Sequence, residues 1–137
     1  MNTDQYTDDF CAWADNQAKI LMNKEYDKLD IENLTEEVAS LGNSEKNKLE
    51  SHLAILIMHM LKTLYQPEKQ TRSWELSIKN ARYQAFRCLD KNPSLKHVLT
   101  DIIESAYKMA RWRALDETGL YDDAIPEKCF FDINDLR

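Results

Sequence analysis

Glycine and proline are nearly missing from this 137-residue chain, which has two of the first and three of the second. An all-β protein needs many tight turns, so the scarcity excludes a sandwich or a barrel. Two isolated glycines also exclude a phosphate-cradling loop, a dinucleotide fingerprint and a G-x-S-x-G nucleophile elbow. The three cysteines, Cys11, Cys88 and Cys129, are an odd number with no C-x-x-C spacing. They imply neither a disulfide framework nor a zinc knuckle. Their apolar or aromatic-flanked positions suit packing better than reactivity. The longest apolar run, Leu53 to Leu61, is broken by His59 and is far too short to span a bilayer. The opening "MNTDQYTDDF" is polar and acidic, unlike a signal peptide. Together these absences predict a reduced, cytoplasmic, soluble protein with no membrane association.

What is present suits an ordinary core. Apolar residues make up 43% of the chain, and the length fits one domain spanning 1–137. The net charge of −6 is unevenly spread. Residues 1–37 hold ten acids and three bases, residues 38–115 seven and thirteen, and residues 116–137 seven and two. Such faces ordinarily solvate a fold. A basic middle would also suit phosphate, nucleic acid or an acidic partner.

Apolar residues recur with helical spacing along most of the chain. Tyr6, Phe10, Trp13, Gln17 and Leu21 form a first stripe, with Thr3 or Asp4 as its cap. Asp30 caps a second stripe of Ile31, Leu34, Val38 and Leu41. Gly42 then either closes that helix, with Ser44 capping the next, or sits inside one continuous helix at a cost of about 1 kcal/mol relative to alanine. Leu49, Leu53, Leu56, Met60 and Leu64, widened by Ile57 and Leu61, mark a central helix over 45–65 that ends before Pro67. Thr71 or Ser73 starts a helix carrying Trp74, Ile78, Ala81, Ala85 and Cys88. Asn92 and Pro93 open the last one, with Leu95, Leu99, Ile102, Ala106, Met109 and Arg113 or Ala114 in register. Gly119 closes it, with Leu120 in contact beyond the cap. Residues 120–137 read as an irregular arm laid over the helices. The prediction is an all-α, single-domain bundle of about five helices.

The candidate sites are few. His52 and His59 lie about 20° apart around a helix axis and about 10.5 Å apart along it. They border the apolar stripe, which suits hydrogen-bonded structural histidines. A single ion could not bridge them without another helix. There is no H-E-x-x-H or E-x-x-H. No metal or cofactor is expected. Glu36 and Glu37 could add carboxylates, giving Glu36, Glu37, His52, His59 and Lys62 as the catalytic candidates for a groove between helices. His97 reads as a surface residue. Lys62, Lys69, Arg72, Lys79, Arg82 and Arg87 form a basic strip interleaved with Tyr65 and Trp74. Lys62, Arg72, Trp74 and Arg82 are its binding candidates. The R-x-x-x-x-H motif of one family of helical ribonucleases is absent.

The pieces "YTDDFCAWADNQA", "LDIENLTEEV", "SLGNSEKNKLESHLAILIMHMLK", "YQPEKQTRSW", "NPSLK" and "ETGL" followed by "IP" occur in this order. In these the chain resembles the bacterial family known as domain of unknown function twenty-nine, common in cyanobacteria. It departs at Cys11 and at Thr63 or Leu64, where the family usually carries an aromatic, and in its ending "DINDLR". The resemblance implies a helical fold and brings no assigned activity. It implies that a family-wide site would draw on some of Glu36, Glu37, His59, Lys62, Pro67 and Trp74.

The leading expectation is a non-enzymatic, cytoplasmic helical module that binds another protein or its own copy, such as an immunity protein, antitoxin-like factor or other regulator. The alternatives are an enzyme or metalloprotein with a Glu/His/Lys site between helices, and a nucleic-acid binder working through the basic strip.

Overall fold

Local signals set most helix boundaries. In the computed structural model, which describes residues 3–137 and side chains from Gln5 onward, the chain forms α1 (Thr3–Asp8), α2 (Phe10–Met22), α3 (Ile31–Tyr65), α4 (Arg72–Lys91), α5 (Leu99–Thr118) and α6 (Ile133–Leu136). There is no strand among the described residues, and the all-α class is as expected. The chain divides into two compact units, Met1–Asn43 and Ser44–Arg137.

In the first unit the expected single helix is split. Asp9 leaves helical geometry, and its carboxylate accepts the Ala12 N–H at 3.0 Å, capping α2. The capping role expected of Thr3 or Asp4 lies outside the described side chains. Trp13 and Gln17 are buried as their stripe predicted, but Phe10 and Leu21 are exposed. Asp30 is the polar hub. It accepts from Trp13 Nε1 at 2.9 Å and from Asn33 Nδ2 at 2.7 Å, while its own N–H donates to Gln17 Oε1 at 2.8 Å. The bond from the Asn33 side chain, reinforced by Trp13, holds its carboxyl below the usual range against the effect of burial.

α3 runs unbroken through Gly42, so the second and third expected helices are one. A Cβ at Gly42 would meet nothing within 4 Å. The glycine neither packs nor caps, and the helix absorbs its propensity cost because both flanks are strongly helical.

In the second unit the core is a helical bundle. Leu49, Leu53, Leu56, Ile57 and Leu61 of α3 meet Ala81, Ala85 and Leu89 of α4 and Ile102, Ala106 and Ala110 of α5. The alanines spaced by four on α4 and α5 form low ridges that let helix axes approach. Thr71, not Ser73, caps α4 by accepting the Trp74 N–H at 3.3 Å. Asn92 donates its side-chain amide to Cys88 O, and Pro93–Val98 is a 3-10 helix, so α5 begins only at Leu99. His97 is exposed there, as expected. On the predicted α5 stripe Met109 is exposed, and Ala114 rather than Arg113 is buried. Gly119 has φ of 72°, a left-handed cap that a side chain would strain.

The arm lies on this bundle. Ile125 and Leu136 enter the core. Arg111 Nε donates to Ile125 O at 3.0 Å, Arg82 Nε to Leu136 O at 2.9 Å, and the Tyr107 hydroxyl to Pro126 O. Burial pushes the Tyr107 phenol up to about 12.

Candidate functional site

Two constellations stand apart from ordinary packing, one in each unit. The first forms around Lys62, which the apolar stripe of α3 carries into the bundle. Lys62 is only 7% exposed. Its Nζ lies 4.5 Å from the centre of the Trp74 ring and 3.6 Å from Glu117 Oε1. An aromatic face and a carboxylate thus replace the water that an ammonium loses on burial. One turn before it, His59 is half-buried, and its Nδ1 is buried with no hydrogen-bond partner. The Thr63 hydroxyl is in the same condition. Burial, and secondarily the Lys62 cation, push the His59 imidazole below its ordinary value, while Glu117 opposes them. His59 is therefore neutral near pH 7.

The structure brings His59, Lys62 and Trp74 together and adds Glu117, which the sequence reading did not single out. Its one signal was its place in the "ETGL" segment. His52 is half-buried on the same helix, two turns from His59. Glu36 and Glu37 belong to the other unit, where Glu36 is exposed and Glu37 accepts the Tyr6 hydroxyl. That bond pushes the Tyr6 phenol up to about 12. Arg82 is occupied by the arm, whereas Arg72 is exposed on the first turn of α4. No group of three or more His, Cys, Asp or Glu side chains among the described residues could hold a metal ion. Cys88 and Cys129 pack, and burial raises both thiols above their ordinary range. Cys11 is exposed, contrary to the packing expected of it.

The geometry at His59 revises what its replacement should do. A buried ring nitrogen without a partner contributes a desolvation cost and no bond. His59→Leu is therefore expected to stabilise the protein by about 1 kcal/mol. It should also flatten the acid side of the stability curve. With the folded value below the unfolded one of about 6.5, the unfolded chain binds the extra proton. Stability is then fully present above that value and is lost as pH falls through the folded one. Urea midpoints measured from pH 8 to pH 5 should fall more steeply in the parent than in His59→Leu. Parallel curves would show that this ring does not sense pH.

The second constellation is on α3 before Gly42. Ile31, Leu34, Val38 and Leu41 step by three, four and three residues. This is an a/d heptad seam with β-branched residues at a and leucine at d. Asp30 receives α2 just before α3 begins, and Glu37, which accepts from Tyr6 of α1, lies about 40° from Leu41 around the axis, so these contacts border the leucine edge of the seam and leave Ile31 and Val38 farther from them. Leu34 is half-buried, but Ile31, Val38 and Leu41 are 60%, 64% and 69% exposed. The stripe read from the sequence is thus one helix face, and most of it is exposed. α3 is 35 residues long, about 52 Å, while α4 and α5 have 20 residues each, about 30 Å. Within the second unit the stripe from Leu49 onward is buried.

No curated protein and no solved structure matches the chain. The sequence model of one family, described as Domain of unknown function DUF29, matches residues 5–137. A match over nearly the whole length, on a helical fold, places the protein in that family: the chain is a member of the DUF29 family.

Proposed function

We propose that the protein is a small regulatory module that binds other proteins through the exposed seam of α3. The observation that carries this reading is the exposure of Ile31, Val38 and Leu41 on a seam patterned to receive another helix. The surrounding charge supports a basic partner. The first 43 residues hold ten acids and three bases, a side-chain charge of −7. The partner of this reading is an amphipathic helix with apolar residues at a/d spacing and lysine or arginine beside them. Three free thiols suit the reducing cytoplasm as its site of action.

The reading is tested by titrating the full chain with a synthetic helical peptide of leucine at a and d and lysine at the flanking positions. Binding in the micromolar range is expected, weakening as salt is raised. A peptide with the same leucines and glutamate flanks should bind at least tenfold more weakly. The Val38→Glu, Leu41→Glu variant should abolish binding while keeping its helical circular dichroism, because both positions are exposed and glutamate is a good helix former. Undiminished binding by that variant would refute the seam as the docking surface.

A further inference from the structure

α4 turns Ala81, Ala85, Cys88 and Leu89 into the core of its own unit. Its opposite side carries Arg72, Leu76, Lys79, Tyr83 and Arg87, all within about 80° of one another around the axis. All five are exposed, Leu76 by 51% and Tyr83 by 61%. None of the three cations forms an ion pair among the described residues. Leu76 and Tyr83 are one heptad apart, about 10.5 Å. Ile31 and Val38 share that spacing, as do Leu34 and Leu41. One protein thus displays an acidic unit with an uncovered apolar seam and a basic helix with matching apolar residues.

Resting on the reading of the seam given above, we infer that its occupant is a second copy of this chain, docking the basic outer face of α4 onto α3 between Ile31 and Leu41. Charge complementarity favours this pairing over seam against seam. Two seams would bring together two units of −7 each, whereas the α4 face brings to such a unit three cations and one exposed acid, Asp90, a net +2. The contact is heterologous, because each copy offers the seam in one place and the basic face in another. Self-association and capture of another basic helix then compete for one surface.

The experiment is sedimentation of the full chain over a wide concentration range. The mass should rise above 16.1 kDa with concentration, and the association should weaken at least tenfold between low and high salt. Val38→Glu with Leu41→Glu should give a monomer, as should Lys79→Glu with Tyr83→Glu, each with unchanged circular dichroism. The decisive sample is a mixture of the two. One variant keeps the basic face and the other keeps the seam, so the mixture should form a one-to-one complex although neither variant associates alone. Association that survives the α4 substitutions would overturn the inference, as would a mixture that stays monomeric. A parent that is monomeric throughout yet binds the lysine-flanked peptide would also overturn it, leaving the seam as a site for other proteins. A parent that does neither would remove both readings.

Discussion

Lys62→Ala is expected to lower the stability of the protein by about 3 kcal/mol, and Lys62→Met by about 1 kcal/mol or less. Alanine removes a buried four-carbon stem and leaves a void between α3, Trp74 and Glu117. Methionine fills most of that volume and loses only the charge. A buried ion pair is often replaced by apolar side chains at little cost, because the desolvation of the charges goes with their attraction. The partner left behind, Glu117, has a side chain 47% exposed and returns to water cheaply. Glu117→Gln should accordingly cost about 1 kcal/mol, less than a fully buried pair would imply. Lys62→Glu should be the most damaging of the series, since it sets a carboxylate beside Glu117 and over the negative face of Trp74. Urea denaturation of the four variants orders them. Equal losses for methionine and alanine would mean that the ammonium itself, rather than its stem, holds the helices together.

Leu136→Ala should cost about 3 kcal/mol although the residue is next to last in the chain. Its side chain is fully buried, and Ile125 anchors the same arm in the same core. Arg82→Gln removes one charged donor from Leu136 O and should cost about 1 kcal/mol. The comparison separates apolar anchoring from the hydrogen bond that closes the arm. A loss below about 0.5 kcal/mol for Leu136→Ala, a value typical of surface positions, would show that the last turn is not seated on the bundle in solution.

The candidate site was legible in part. His59, Lys62 and Trp74 were named from spacing and composition, and they meet around Lys62. Glu117 was not named, because a pairing across 55 positions leaves no periodic trace in a sequence. Glu36 and Glu37 were added as plausible acids from the neighbouring stripe. In the folded chain Glu37 serves Tyr6, a contact 31 positions away that no local pattern announces. Arg82 looked like a free cation and proved to be the anchor of the C-terminus.

The sequence by itself determined the helical class and where most helices stop. Pro67 ends α3 by excluding helical geometry before it, Thr71 starts α4 by accepting a free N–H, and Gly119 ends α5 by adopting a left-handed conformation. Each of these effects acts within one turn and needs no tertiary contact. Only the tertiary structure decided what the apolar stripes bury. Ile31, Val38 and Leu41 continue the pattern of Leu49, Leu53 and Leu56, and the two halves of the stripe meet opposite fates. The passage of α3 through Gly42 rests on the helical flanks on either side of it, while the exposure of its first part is a matter of what lies beside the helix. Burial is a property of neighbours, and the pattern of a single helix records only which side is ready to receive them.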